Sequence, residues 1–177
     1  KNGTGPSDFY GHYLFVETYD KSWRERNLFD SGALYKEGFD KKTRLDEDET
    51  DRDDFLDKIT TLTGDSLKNY IYDNINIANI VNYNAMMANT RNDDWNLFHN
   101  QYQYRDTEGT GRWEYLLWDV DGSFAPTNIP ALPYPRDPVM SLLPDPSLSF
   151  FDLTQYRYIE KAMAQFPEFT DMYNRRA

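Results

Sequence analysis

The sequence predicts an α+β domain that is mostly helical and contains one β-hairpin. Apolar side chains spaced three and four residues apart predict helices between residues 53 and 89. Two runs of β-prone residues on either side of a glycine-containing turn predict the hairpin, Gln101–Arg105 and Arg112–Trp118. The 177 residues, 39% hydrophobic and 16% aromatic, are enough for one domain with a sizeable core.

The composition excludes several kinds of site. A net charge of −11 repels phosphate backbones, so we expect no nucleic-acid partner. The chain has no cysteine, which excludes disulfides, thiolate zinc sites and a cysteine nucleophile. The longest apolar runs, Tyr13–Val16 and Tyr115–Trp118, are far shorter than the roughly 20 residues of a membrane-spanning helix. Nothing at Lys1 resembles a signal peptide, so we expect a mature product or an excised fragment.

Short elements are predicted in the first third of the chain. Phe9–Tyr19 is rich in β-prone residues and predicts a strand. Asp20 is placed to cap a short helix over Ser22–Leu28, and Ala33–Lys36 predicts a second strand. The charged stretch 41–54 predicts a solvated loop that leads into a helix, with calcium binding as the alternative.

Longer helices follow, over Asp53–Leu62 and Ser66–Asn89. The apolar stripe of the second consists of Leu67, Tyr70, Ile71, Ile75, Ala78, Val81, Ala85 and Ala88. Seven prolines from Pro126 to Pro146 forbid regular structure and predict a long ordered loop or lid. The C-terminal part predicts a helix over Asp152–Gln165 and another that starts at Pro167 and continues over Glu168–Arg176.

The order of elements after the long helix predicts a phosphotransfer site. A polar loop carries Asp94 and, six residues later, Asn100; the hairpin follows, and its second strand ends in Asp119. Protein kinases use the same order, with one residue fewer between the first two side chains. The catalytic Asp must accept a hydroxyl proton, while the Asn and the later Asp must meet around Mg²⁺. A hairpin between them brings the two loop ends together.

Each of these residues also admits a structural role. Asp119-Val120-Asp121, taken alone, is a pattern found more often in surface turns than in metal sites. Asn100 could tie down its loop by bonding backbone groups, and the neighbouring Asp93 leaves open which aspartate is catalytic. Lys36 could reach a phosphate, although a strand lysine that faces solvent is the commoner case.

Several segments resemble the CotH family of secreted kinase-like proteins, in order and over nearly the whole chain. Residues 10–21 are similar to the pattern Y-x-G-x-Y-x-L-V-E-x-x-D-K, and residues 30–36 to G-x-L-Y-K. Residues 94–121 resemble the block D-W…N-N…Y-R…G-x-W…W-D-x-D, and residues 167–175 resemble the helix P-E-F-R-x-x-Y-x-x-R. One departure is His99, which stands where the first of two Asn residues is usual.

The resemblance implies an activity and roles for four residues. CotH proteins are atypical kinases, known from spore coats, that phosphorylate Ser or Thr of protein substrates with ATP and a divalent metal, Mg²⁺ or Mn²⁺. By the motif match, Asp94 would be the catalytic base and Asn100 a metal ligand. Asp119 would be the main Mg²⁺ ligand, and Asp121 a second metal ligand or an orienting carboxylate. The expected partner is a Ser/Thr-rich protein segment, and the expected location is extracellular, at the cell surface or in a spore coat.

The resemblance also implies an atypical protein-kinase-like fold. Residues 1–20 would form the last N-lobe strand and the hinge, and residues 21–177 the C-lobe, within one domain over 1–177. Glu17 and Thr18 would then bind the nucleotide at the hinge, although a structural role for Glu17 stays open. The N-lobe would be largely missing from this chain, including the phosphate-covering loop, the strand lysine and its glutamate partner.

Two other functions fit part of the pattern. A non-catalytic surface, coat-assembly or adhesion module would fit the missing N-lobe and His99. A D-x-D glycosyltransferase would instead need a Rossmann-like βαβ nucleotide half upstream of Asp119. The helical prediction from Asp53 to Asn89 disfavours that alternative.

Overall fold

The computed structural model of the protein describes residues 17–29, 32–36, 38–90, 101–120, 123 and 157–177. The chain divides into two compact units, Lys1–Asp30 and Ser31–Ala177. In the first unit, helix α1 spans Lys21–Arg26, and the Asp20 side chain accepts a hydrogen bond from the Trp23 N–H at 2.8 Å. The predicted cap is therefore confirmed. The predicted strand Phe9–Tyr19 lies mostly outside the described residues, and residues 17–19 are not in a strand.

The second unit combines helices with an antiparallel sheet, so the α+β class is confirmed. The sheet has four strands in the order β2-β1-β3-β4. The elements of this unit, in chain order, are β1 (Ala33–Lys36), β2 (Asp40–Lys41), α2 (Thr50–Thr61), α3 (Gly64–Asn74), α4 (Ile77–Asn89), β3 (Gln101–Arg105), β4 (Trp113–Leu117), α5 (Tyr158–Met163) and α6 (Pro167–Asn174). Among the helices that the structure describes, none combines the length and apolar character needed to cross a membrane.

The predicted hairpin is confirmed. β3 and β4 pair over their whole length, from Gln101 opposite Leu117 to Arg105 opposite Trp113. The turn is closed by Asp106, whose carboxylate accepts a hydrogen bond from the Thr110 N–H at 2.6 Å. β4 is one residue shorter at each end than the predicted strand Arg112–Trp118.

The prediction of one helix over Ser66–Asn89 is wrong, because Ile75 and Asn76 separate α3 from α4. Ile75 forms a bridge with Trp113, and the Asn76 N–H donates to the Trp113 carbonyl at 2.9 Å. The Asn76 side chain then accepts from the Asn79 N–H and caps α4. β4 is the outer strand of the described sheet, and an uncovered strand edge leaves backbone groups without partners. Ile75 and Asn76 are therefore not helical and instead pair with the edge of β4 at Trp113.

The Asn79 side chain also forms hydrogen bonds with the edge of β4. Its amide oxygen accepts from the Tyr115 N–H at 2.7 Å, and its Nδ2 donates to the Tyr115 carbonyl at 3.1 Å. We expect Asn79→Ala to lower the free energy of unfolding by about 1–3 kcal/mol, because both groups lose their partner. Asn82→Ala is the control, since Asn82 is exposed on the same helix and gains the same helix propensity. Urea unfolding of both variants measures the difference, and equal losses would contradict the edge-covering role.

The core lies between one face of the sheet and the helices. Trp113 of β4 is at its centre, with ring centroids 5.2 Å from Tyr35, 5.3 Å from Phe39 and 4.8 Å from Phe55. Residues opposite each other in an antiparallel register share a face of the sheet. The register therefore puts Lys36 and Tyr102 together on the face that does not carry Trp113.

Several predicted boundaries change. The stretch 41–54 is only partly a loop, since Lys41 belongs to β2 and is buried, and α2 begins at Thr50, three residues before the predicted start. Within the predicted helix Asp152–Gln165, α5 spans Tyr158–Met163, and residues 152–156 lie outside the described part. α6 begins at Pro167 as predicted. The proline-rich stretch 126–146 lies outside the described residues.

Candidate functional site

Asp119 lies two residues beyond the end of β4, and its backbone is left-handed. Its φ is 50°, a region that few residues other than glycine adopt and that Asp and Asn tolerate best. The side chain is exposed. Such backbone conformations cost about 1–3 kcal/mol and cluster at functional sites. The conformation turns the chain sharply at the first aspartate of the D-x-D motif.

The register of the hairpin joins the two segments that carry the predicted metal ligands. Gln101, which follows Asn100 in the chain, pairs with Leu117, two residues before Asp119. The ends of the hairpin that lead to Asn100 and to Asp119 are therefore neighbours.

A second contact joins the same two segments. Thr90 ends α4 and precedes the loop with Asp94, and its Oγ1 lies 3.4 Å from the Ser123 Oγ. Ser123 follows Asp121 by two residues. Thr90, four residues before Asp94, and Ser123, two residues after Asp121, are therefore in contact.

Lys36 of β1, Tyr102 of β3 and Trp118, which follows β4, contact one another next to Asp119 in the chain. The Lys36 Nζ lies 5.7 Å from the ring centroid of Tyr102 and 5.8 Å from that of Trp118. The two rings meet edge to face, with centroids 5.6 Å apart and planes at 88°. Trp118 immediately precedes Asp119, so an ammonium group is held at the same end of the sheet as that carboxylate.

A buried polar network supports the hairpin from the helical side. The Tyr115 hydroxyl donates to Glu160 Oε2 at 3.2 Å, and the Asn84 Nδ2 donates to Glu160 Oε1 at 3.2 Å. The Arg157 Nη2 donates to the Asn84 Oδ1 at 2.9 Å and lies 3.8 Å from Glu160 Oε1. Burial, followed by the neighbouring Glu160 carboxylate, raises the pKa of Tyr115 well above its ordinary value. The network connects α4, β4 and α5.

The sequence singled out none of the four network residues for this role. Asn84 was the one available signal, because it interrupts the apolar face of α4 and has no exposed surface. Its partners Glu160 and Arg157 are 76 and 73 residues away. The network therefore could not be predicted without the fold.

The predicted hinge residues lie in the first unit. Glu17 and Thr18 are exposed and outside regular secondary structure. The Glu17 carboxylate forms an ion pair with Arg26 at the end of α1. Their role in binding a nucleotide stays a prediction.

Of the four predicted catalytic and metal-binding residues, Asp119 lies in the described part of the chain and Asp94, Asn100 and Asp121 lie outside it. The roles of all four stay predictions. Within the described ranges there is no group of three or more His, Cys, Asp or Glu side chains arranged to hold a metal. A catalytic Mg²⁺ needs only one or two carboxylates, together with substrate phosphates and water. The exposed carboxylate of Asp119 is an oxygen ligand of the required kind.

A charged cavity of about 250 Å³ lies near the opposite end of the hairpin. Its charges are paired internally: Arg105 Nη1 is 2.9 Å from Asp51 Oδ2, and the Lys41 Nζ donates to the Glu47 and Asp48 carbonyls at 3.1 and 2.7 Å. The ammonium of Lys41 thus binds two backbone carbonyl groups of the acidic stretch. The cavity does not include Asp119.

The family model described as CotH kinase protein matches residues 1–176. No curated protein matches the chain.

Proposed function

The chain belongs to the CotH kinase family, and on that basis we propose that it transfers the γ-phosphoryl group of ATP to Ser or Thr side chains of proteins. The observation that carries the proposal is the hairpin register, Gln101 opposite Leu117. It supports a shared site because it joins the segments that lead to Asn100 and Asp119. The contact between Thr90 and Ser123 supports the same site from the other ends of those segments.

In the proposed reaction, Asp94 accepts the proton of the substrate hydroxyl. The hydroxyl oxygen forms a bond to the γ-phosphorus of ATP while the bond from that phosphorus to the β–γ bridging oxygen breaks, and ADP leaves with the electron pair. Asn100, Asp119 and Asp121 would hold the metal ion. Mg²⁺ or Mn²⁺, when bound, neutralises negative charge on the phosphate oxygens.

The remaining parts of the proposal follow from the family. Glu17 and Thr18 would contact the nucleotide from the hinge, and the fold would be that of an atypical protein kinase with residues 21–177 as its C-lobe. The substrate would be a Ser/Thr-rich protein segment in a spore coat or at the cell surface. A net charge of −11 fits a metal-dependent reaction, because an acidic protein needs a cation to hold ATP.

The direct test is transfer of labelled phosphate. Full-length protein is incubated with γ-labelled ATP, a Ser-rich acceptor protein, and either Mg²⁺ or Mn²⁺. We expect label on the acceptor, none after chelation of the metal, and none with Asp94→Ala. Asp93→Ala is the matched control, because it removes the neighbouring carboxylate, and we expect it to retain transfer.

Two results would contradict the proposal. If Asp94→Ala labels the acceptor as well as wild type, the assigned base is wrong. If wild type transfers no label and calorimetry detects no metal-dependent ATP binding, the protein is a non-catalytic surface or coat-assembly module. The glycosyltransferase alternative gains no support, since the described strand pairs are antiparallel and α2 to α4 precede the hairpin.

A further inference from the structure

The helix α4 and the strand β4 lie side by side and run in the same direction. Asn76, which precedes α4, donates its N–H to the carbonyl of Trp113, the first residue of β4. Further along both elements, the side chain of Asn79 forms hydrogen bonds with the N–H and the carbonyl of Tyr115. The contacts therefore advance together along the helix and the strand, from their beginnings toward their ends.

The two elements lead to different parts of the proposed site. α4 ends at Asn89 and leads to Asp94, the proposed base. The hairpin begins after Asn100 and leads to Asp119, both proposed metal ligands, and its strand pairing keeps the two ends of the hairpin together. A shift of α4 against the hairpin would therefore move the base relative to the metal ligands, while the metal ligands keep their places relative to each other.

Glu160 of α5 holds α4 and β4 with the two oxygens of one carboxylate. Its Oε1 accepts a hydrogen bond from Asn84 of α4, and its Oε2 accepts one from the Tyr115 hydroxyl of β4, both at 3.2 Å. The Arg157 Nη2 donates to the Asn84 Oδ1 at 2.9 Å and so orients the amide toward Glu160. The exposed fractions of Asn84, Glu160 and Tyr115 are 0%, 1% and 3%, so these bonds are shielded from solvent.

We propose that Glu160 is a positioning residue for phosphoryl transfer, because its carboxylate fixes α4 relative to β4 and thereby places Asp94 relative to Asp119. The inference rests on the proposed function and deepens it. A carboxylate accepts on two oxygens at once, whereas an amide or a hydroxyl offers one oxygen, so this side chain is suited to joining two elements. Glu160 is buried and acts through α4 and β4, without touching the nucleotide.

Tyr115→Phe breaks one of the two links and changes little else. The variant loses only the hydroxyl, and it keeps the ring that meets Tyr83 edge to face with centroids 5.1 Å apart. β4 then has no bond to Glu160, while the bond from Asn84 to Glu160 stays. The strand is released from the carboxylate, and the buried ion pair of Glu160 is left in place.

The test combines a rate with a binding measurement. Full-length protein is assayed with γ-labelled ATP, Mg²⁺ and the Ser-rich acceptor, and calorimetry measures the binding of Mg²⁺-ATP. We expect Tyr115→Phe to lower kcat about 10-fold, since a misplacement of 1 Å can cost about 10²-fold. The Kd of Mg²⁺-ATP should stay within about twofold of wild type, because the metal ligands keep their places. The number of ATP molecules bound per chain should also be unchanged, whereas a partly unfolded variant binds fewer.

Tyr35→Phe is the matched control. The Tyr35 hydroxyl also donates to a carboxylate, Asp51 Oδ1 at 3.1 Å, and Tyr35 lies on the same face of the sheet as Tyr115. Asp51 belongs to α2, which leads to none of the proposed catalytic residues. We expect this control to keep the kcat of wild type.

The outcomes separate this inference from the proposed function. If wild type transfers label and Tyr115→Phe has the same kcat, or if the two phenylalanine variants lose kcat equally, Glu160 is not a positioning residue and the proposed function stands. A weaker Kd of Tyr115→Phe, or fewer ATP molecules bound per chain, would assign the bond a purely structural role and would also contradict the inference. Absence of both transfer and ATP binding in wild type would overturn the proposed function and this inference together.

Discussion

Replacing Glu160 by alanine is expected to lower the free energy of unfolding by about 3–5 kcal/mol. Glu160 is 1% exposed and Arg157 is 2% exposed, so the variant leaves a buried guanidinium without its carboxylate. The Tyr115 hydroxyl and the Asn84 amide lose their acceptor in the same step. Removing one partner of a buried ion pair lowers the free energy of unfolding by far more than the intact pair contributes to it. The reason is that the remaining charge is buried and has no solvent to stabilise it.

An exposed pair provides the control for Glu160. Glu168 forms an ion pair with Lys68, and both side chains are about one-third exposed. Solvent screening makes such a pair contribute little to stability, so Glu168→Ala should have a much smaller effect than Glu160→Ala. Urea denaturation of the two variants measures the contrast. If Glu160→Ala loses no more stability than Glu168→Ala, the buried network does not hold α4, β4 and α5 together.

Some elements are determined by residues that are close together in the chain, and local sequence signals predicted these elements. The cap at Asp20 depends on a backbone N–H three residues away, and the hairpin depends on a turn of a few residues with its closing Asp106. Pro167 marks the start of α6 for the same kind of reason. In each case the residues that decide the structure are close together in the chain.

The break between α3 and α4 has a distant cause, and this is why the prediction of one helix failed. The apolar stripe over Ser66–Asn89 is compatible with a continuous helix. What interrupts it is the edge of β4, because Trp113 and Tyr115 need partners that Ile75, Asn76 and Asn79 supply. The asparagines of this segment were the sequence signal, since their side chains bond backbone groups as readily as the helix does.

In the candidate site, too, the order along the chain was predictable, whereas contacts between distant residues were not. The order of residues along the chain predicted that Asp119 would follow the hairpin, since that relation is fixed by sequence. The cluster of Lys36, Tyr102 and Trp118 required the strand order β1-β3-β4 and its register, which no local pattern specifies. The sequence suggested Lys36 as a phosphate ligand but gave no reason to prefer that role over exposure to solvent.

Replacing Asp119 by asparagine is expected to lower the rate of phosphoryl transfer on the order of 10²- to 10³-fold, the effect of removing one group that stabilises charge in the transition state. Asparagine has almost the same size and tolerates the left-handed backbone, where φ is 50°. The variant therefore removes the charge without changing the turn after β4. Rates are measured with γ-labelled ATP and the Ser-rich acceptor, and thermal unfolding should show an unchanged midpoint.

The loss of activity in Asp119→Asn should also depend on the metal concentration. This dependence distinguishes a metal ligand from a residue that only supports the fold. If Asp119 holds the metal, its loss weakens metal binding, so raising Mn²⁺ should restore part of the activity. A variant that is slow because its fold is damaged gains nothing from added metal. Glu108→Gln is the control, because it removes one exposed carboxylate at the far end of the same hairpin. The expected effect depends on the negative charge at position 119. Asp119 is therefore excluded as the metal ligand if the two variants are equally active. It is also excluded if added Mn²⁺ does not change the loss of activity in Asp119→Asn.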